Sequence, residues 1–315
     1  MAYLVTGSMG CLGVWTLYHL VKSGKKAVSF DLSDNRSRLD LLLSKEEQQA
    51  ISFVKGDITD AESVLSVFKS QDITQVIHLA ALQVPFCRAN PIVGAQVNVV
   101  GTVNVFEAAK ACDIKHLTFA SSVAVYGPPE SYRTKLLPSD AKFDPHTLYG
   151  VYKLANEGTA KIYWQDHQIS SIVLRPYTVY GVARDQGLTS EPTKAMLAAA
   201  AGKPFDISFG GVMQFHFASD VARQFIEAAE SKVQGAFGFN LGTEPIGVAD
   251  MVAMIKRIKP DAQVTSGSTI LPFPEGLDNG DLKHYIKTPE TRLEDGVAQT
   301  IEHFETCLES GLLKV

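Results

Sequence analysis

Short apolar runs alternate with amphipathic stretches through the first half of the chain. Tyr3-Leu4-Val5 precedes a helical pattern at 12–22; residues 27–30 read as a second strand, and 39–43 with Glu46 as another helical stretch. Ile51-Ser52-Phe53-Val54, a helix at 61–70, a strand at 75–79, a helix from about 93 to 111 and a strand at 116–120 continue the series. A long helix at 149–167 and a strand at 171–174 close it. Strands joined by helices are βαβ units, and strands this apolar imply a parallel sheet covered on both faces. The expected class is α/β, a Rossmann-type doubly wound parallel sheet.

After Gly181 the pattern changes. Glycine and proline become dense at Gly187, Pro192, Gly202-Lys203-Pro204, Gly210-Gly211 and 271–276, which predicts loops rather than regular layers. We therefore expect a sheet domain over 1–181 and a smaller, discontinuous, mainly substrate-binding C-terminal region over 182–315. Segments around 210–245, notably Phe239-Asn240-Leu241, should return to the core.

With 315 residues, 45% of them hydrophobic, the chain can bury a full core. A net charge of −5 leaves no basic field for a phosphate backbone, so nucleic acid is not an expected partner. The first strand starts almost at Met1, without room for a leader, and the apolar stretch 195–201 is far shorter than the ~20 residues a membrane span needs. A cytoplasmic location is expected. Cys11, Cys87, Cys112 and Cys307 are scattered, and the histidines lack ligand spacing, so neither a disulfide framework nor a metal site is predicted.

Candidate chemistry begins at Thr6-Gly7-Ser8-Met9-Gly10-Cys11-Leu12-Gly13. The loop follows a strand and opens a helix, so backbone N–H groups at the helix N-terminus can face a pyrophosphate. Gly7 would take the turn, Gly10 would admit the phosphates, and Gly13 would let the helix approach the sheet. Gly7, Met9, Gly10, Cys11, Leu12 and Gly13 are thus candidate cofactor contacts. About 20 residues on, Asp31 ends the second strand, where a carboxylate holds the adenosine ribose diol and repels a 2′-phosphate. That favours NAD over NADP, with Arg36 and Arg38 close enough in sequence to argue the other way. Asp57 and Ile58 suit adenine contact, and Asp57 suits a helix cap equally well. Leu79, Ala80 and Ala81, at another strand end, are small enough to let the backbone approach a cofactor.

Tyr149 and Lys153, four residues apart on one helix face, form the second constellation, with Ser122 upstream. An ammonium near the phenol favours phenolate. Lowering a tyrosine from about 10 to near neutrality takes roughly 4 kcal/mol, which a lysine and a cationic nicotinamide ring can jointly supply in a dry site. Tyr152 and Ser121 are the rival hydroxyls.

Taken in order, these motifs resemble the extended short-chain dehydrogenase/reductases, and more narrowly the NAD-dependent epimerase/dehydratase family. The others are Gly56-Asp57, Asn98-Val-x-Gly-Thr102, Ser121-Ser122-Val-Ala-Val-Tyr126-Gly127 and Leu174-Arg-Pro-x-x-Val-Tyr-Gly181. The resemblance implies NAD as cofactor and oxidation of a carbohydrate hydroxyl. It assigns Tyr149 as general base, Lys153 as holder of the nicotinamide ribose, and Ser122 as partner of the reacting oxygen. Pro176, Tyr177, Thr178 and Val179 would line the nicotinamide side, and Asn98 would stand beside the cofactor as a helix-fixing residue. Arg175 reads as an ion-pair partner. The resemblance also implies a homodimer through the helices near 98–110 and 149–167.

Two departures narrow the activity. Val123 and Ala124 stand where water-eliminating members carry an Asp-Glu pair, which disfavours dehydration. Met213 stands where nucleotide-sugar members carry a diphosphate-binding arginine, and 274–281 is acidic where a second arginine is usual. Arg184 can instead receive a carboxylate or phosphate, or pair with Asp185 or Glu191. Gln83 and Gln214, with His216, are further substrate candidates. The expected activity is NAD-dependent oxidation of a secondary hydroxyl of a sugar or sugar acid. An epimerase that oxidises transiently with no net redox change is the alternative.

Overall fold

The computed structural model describes residues 1–314. Seven parallel strands form the central sheet: β1 (Ala2–Thr6), β2 (Lys26–Asp31), β3 (Ile51–Lys55), β4 (Ile73–His78), β5 (His116–Ala120), β6 (Ser170–Arg175) and β7 (Ala236–Asn240). Their spatial order is β7-β6-β5-β4-β1-β2-β3. The order reverses between β1 and β4, and ligands of such sheets bind in the crevice outside that switch point. Thr6 is in register with both Phe30 and His78, so three strand ends open there together.

Side-chain alternation divides the core in two. Tyr3, Val5 and Ala27 join one apolar cluster, while Leu4, Val28 and Phe30 join the other. The first face is covered by α1 (Cys11–Lys22), through Val14, Leu17 and Leu20. The second is covered by α2 (Ala61–Ser70) and α3 (Pro91–Ala111), through Val64, Val67, Val105 and Phe106. Beside α3 runs α4 (Leu148–His167).

Four differences from the sequence reading have physical causes. Residues 39–43 form no helix beyond the short turn Ser37–Asp40; Leu39 and Leu43 still bury, but Asp40 is held by Lys45 and Gln48, which bends the chain. The helix expected from about 93 starts at Pro91, because the Asn90 side chain accepts the Val93 N–H as its cap. Within it, Gln96–Val100 takes a π-turn. Of the described residues, α3, rather than the shorter 195–201 stretch, is the one helix long and apolar enough to cross a membrane; here Val105, Phe106, Ala108 and Ala109 are buried against the sheet.

The C-terminal part splits its residues between both regions. Helix α5 (Glu191–Ala200) precedes α6 (Ala218–Glu230), which buries Val221, Ala222 and Phe225 in the core cluster that α1 shares, and β7 then becomes an edge strand beside β6. The remaining smaller layer holds the paired strands Phe205–Gly210 and Val264–Ile270, α7 (Val248–Ile258) and α8 (Leu293–Glu309).

Candidate active site

A cleft of about 820 Å³ runs from the glycine loop, past the switch point, to the start of α4. At its first end the chain turns through Gly7, whose φ of +66° suits a residue without a side chain. A Cβ on Gly7 would lie 2.5 Å from Ala80 N, and one on Gly13 would lie 2.4 Å from Gly7 O. The loop, the Leu79-Ala80 turn and α1 are therefore in direct backbone contact. Gly10 is roomier, with Gly7 O alone nearby at 3.2 Å. The first turn of α1 carries no acidic residue and no side-chain cap, which leaves its N–H groups available to an anion.

Asp31 closes β2 and reaches this loop: its carboxylate accepts Met9 N and Ser33 N, each at 2.9 Å. Neither competing arginine stands free to hold a 2′-phosphate. Arg36 stacks on Phe53 with its guanidinium carbon 3.5 Å from the ring centroid, and Arg38 is bound to Asp185 and to Met9 O. The residues thus fit NAD: close-packed glycines, unclaimed helix amides, and a carboxylate with lone pairs left for a diol.

Asp57 and Ile58 both line the cleft, but Asp57 is not the helix cap. Its carboxylate closes a turn on Thr59, and Asp60 caps α2 by accepting Glu62 N and Ser63 N. Leu79, Ala80 and Ala81 line the cleft as well. Behind them His78 is buried between Thr6 Oγ1 (2.7 Å) and Thr102 Oγ1 (3.0 Å), and burial pushes it down to about 3, so it stays neutral. Asn98 corrects the sequence reading. It is fully buried off the cleft, where its amide clamps Leu82 N and Leu82 O, and so acts on the wall rather than on a ligand.

At the other end Thr147 caps α4 by accepting Gly150 N at 3.0 Å. A Cβ on Gly150 would fall 2.0 Å from Ala124 O, so its absence lets α4 dock on the segment after β5. That docking places Tyr149 on the cleft wall with Ser122, close enough for the serine to act on its phenol, with Lys153 one turn on. The rival hydroxyls are occupied elsewhere. Ser121 Oγ donates to Glu157 at 2.5 Å, and Tyr152 OH donates to Pro91 O at 3.0 Å. Glu157 also receives Arg175 bidentately, at 2.9 and 2.6 Å, a buried ion pair behind the wall. Val123 and Ala124 are buried and apolar, with no proton to exchange.

The titration of the pair departs from expectation. Burial pushes Tyr149 up to about 12, only partly offset by the Ser122 hydrogen bond and the Arg184 charge. Lys153 is pulled down to about 8, chiefly by burial, and its Nζ donates to Ala120 O at 2.7 Å. The ammonium is 5.6 Å from the Tyr149 ring centroid and spends its hydrogen bond on the strand end. The chain by itself thus keeps Tyr149 protonated.

Pro176, Tyr177, Thr178 and Val179 line the cleft opposite. Tyr177 OH donates to Pro274 O at 2.6 Å and its ring meets Phe273 edge-on, which ties the C-terminal segment to the site. Met213 is buried beneath, its sulfur 3.3 Å from Thr178 Oγ1. Gln214 is a second correction: it is fully buried, and its amide binds Thr243 O, Leu277 O and Leu277 N, so nothing is left for a substrate. His216 is likewise buried, facing Tyr177 N. Gln83 and Arg184 do reach the cleft. Arg184 forms neither expected salt bridge, because Asp185 pairs with Arg38 and Glu191 accepts Ser208. Leu188, Thr189 and Phe273 complete this end: the first two follow Arg184 on its own loop, and Phe273, which carries no sequence signal, comes from a segment far along the chain.

A family model described as the NAD dependent epimerase/dehydratase family matches residues 3–242. The chain belongs to this family. It is an NAD-dependent enzyme with the extended short-chain dehydrogenase/reductase fold. The UDP-glucose 4-epimerase of Mycolicibacterium smegmatis is 30% identical, over 96% of this chain and 98% of the relative. Among solved structures, the NAD complex of a Thermus thermophilus UDP-glucose 4-epimerase superposes with a TM-score of 0.82 at 23% identity, covering 96% of this chain and 99% of that one. A monomeric L-threonine 3-dehydrogenase from a metagenome superposes equally well, with a TM-score of 0.83 at 20% identity, over 99% of this chain and all of that one. The fold alone therefore does not choose the substrate.

Proposed function

We propose that this family member oxidises a secondary hydroxyl of a small carbohydrate, a sugar or sugar acid, with net formation of NADH. One observation carries the reading: Ser122, Tyr149 and Lys153 converge on the wall of the same cleft that begins at the glycine loop and Asp31. When bound, NAD supplies the hydride acceptor and a positively charged ring. Tyr149 and Ser122 would hold the reacting hydroxyl between them, and Tyr149 Oη would take its proton. Moving that phenol from about 12 towards neutrality requires about 7 kcal/mol, at 1.4 kcal/mol per unit. Lys153 would contribute by turning from Ala120 O to the ribose and phenol, and the charged ring of NAD would supply the rest. Glu157 and Arg175 would hold the strand end that carries both serines.

Buried Met213 supports a substrate without a nucleotide diphosphate, since no cation occupies that position. Among the described residues, Phe273 is the one part of the chain beyond 200 that lines the cleft. The second reading is a transient-oxidation epimerase, favoured by the names of the relatives. Incubation with NAD and a panel of sugars, aldonates and uronates tests both. NADH accumulation supports the dehydrogenase; a converted product with retained NAD and no NADH supports the epimerase; silence across the panel opposes both.

We further propose a homodimer built on α3 and α4, where Ile92, Val100, Val151 and Ile162 are exposed apolar residues. Light scattering would check it. The four unpaired thiols suit the reducing cytoplasm.

A further inference from the structure

Three basic side chains reach the cleft: Arg38, Lys153 and Arg184. The first two are engaged, Arg38 by Asp185 and Met9 O, Lys153 by Ala120 O. Arg184 differs, for no carboxylate of the described residues lies within ion-pair distance of it. Its Nε is buried with no acceptor, and one terminal nitrogen reaches Thr189 Oγ1 at a marginal 3.4 Å. A guanidinium N–H taken from water and left unpaired is costly, so the loop holds a site for an acceptor it does not contain.

Gln83 supplies the second unpaired group. Its Oε1 is also buried without a partner, although it enters the cleft from a different segment. The two side chains meet over Gly187, where an added Cβ would lie 1.9 Å from Gln83 Oε1 and 3.1 Å from Arg184 Nη2. Together they offer a forked cation beside an unfilled acceptor. That combination matches a carboxylate with a hydroxyl a bond or two away. Arg184 also stands close enough to act electrostatically on Tyr149 and on Cys11 of the glycine loop.

We propose that Arg184, with Thr189 and Gln83, receives the carboxylate of the substrate, so that the enzyme acts on a compact sugar acid or hydroxy acid whose reacting hydroxyl lies near its carboxylate. This rests on the proposed oxidation at Tyr149 and gives that site its substrate class. The pyrophosphate of NAD is the other anion within reach. The amides of the first turn of α1 would serve it, whereas Gln83 and Thr189 come from the two loops that close the cleft with Leu188 and Phe273.

Calorimetry on the NADH-loaded protein separates the possibilities, with gluconate, galacturonate and erythronate as probes against glucitol, galactose and erythritol. At least one acid should bind, its neutral counterpart about 10- to 100-fold more weakly. Arg184→Gln should weaken that acid by a similar factor and leave NADH affinity unchanged. Arg184→Lys should fall between, because an ammonium keeps charge but loses the fork, and it guards against a folding failure in the first variant. Gln83→Ala should weaken the acid by a smaller factor. The inference is overturned if no acid binds, if neutral sugars bind as well as acids, or if Arg184→Gln loses NADH affinity while keeping the acid. A wild-type protein that binds NADH and oxidises only neutral sugars sinks this inference alone; one that takes up no NADH sinks the oxidation reading with it.

Discussion

The two ends of the cleft are built on opposite principles. At the glycine loop, backbone meets backbone: Gly7 against Ala80, Gly13 against Gly7 O, Asp31 on Met9 N, and the neighbouring arginines each occupied. At the far end, side chains from separate loops meet, and two of them, Gln83 and Arg184, keep buried polar atoms without partners. Backbone packed on backbone gives a preformed seat, its free helix amides held in place for a ligand that many proteins share. An unfinished set gives selectivity, because its missing partners must arrive with the substrate. The fold is shared with both an epimerase and a threonine dehydrogenase, so the frame does not carry that selectivity.

The contrast can be broken most strongly at the point where the two ends meet. Tyr149→Phe should lower turnover by about 100- to 10,000-fold, the usual worth of a positioned base, while NAD affinity stays near wild type. Stopped-flow turnover and a cofactor titration would check it, and unchanged turnover would remove Tyr149 from the chemistry. Gly150→Ala should follow, at about 100-fold, because a methyl group 2.0 Å from Ala124 O must push Tyr149 away from Ser122. Cofactor affinity should suffer far less than turnover.

A third substitution sharpens the division from the other side. Asp31→Ala should weaken NAD by about 10- to 100-fold, the range for losing hydrogen bonds to a charged group, and should improve NADP relative to NAD. Fluorescence titration with both cofactors would show it, and equal loss for both would argue against ribose recognition by this carboxylate.

A further effect, on stability rather than turnover or affinity, concerns a trait both ends share. His78 lies behind the cofactor end and His216 behind the substrate end, and burial pushes each down to about 3. An unfolded chain binds these protons near 6.5 and the folded one does not, so the unfolded state holds more protons between those values. Stability should therefore be full above about pH 6.5 and decline progressively as pH falls towards 3. Urea midpoints across a pH series would read this, and a flat profile between 6.5 and 4.5 would contradict neutral, buried imidazoles.

The first end is more legible in the sequence than the second, for the same physical reason. Gly7, Gly10, Gly13 and Asp31 are set by local turns and by strand length, so their spacing carries their placement. Gly150 is not legible, because its reason lies in Ala124 O, a contact made only when α4 docks. Asn98, expected beside the cofactor as a helix-fixing residue, and Gln214, a substrate candidate, each spend their amide on backbone from another segment, Leu82 for one and Thr243 with Leu277 for the other. Polar type alone does not separate an amide that holds a loop from one that holds a ligand. The sequence leaves Arg184 open between a salt bridge and an anion site, and the placement of Asp185 beside Arg38 and of Glu191 on Ser208 removes the first option.

Burial keeps the Tyr149 phenol protonated in the chain alone, and in the proposed reaction NAD would turn it into a base. Site-selective carbon-13 labelling of tyrosine, with Tyr149 assigned by its Phe variant, would follow the phenol through a pH titration with and without NAD. A titration near 12 is expected in the free protein, with a shift of several units towards neutrality in the NAD complex. A phenol that titrates at the same pH in both would contradict it.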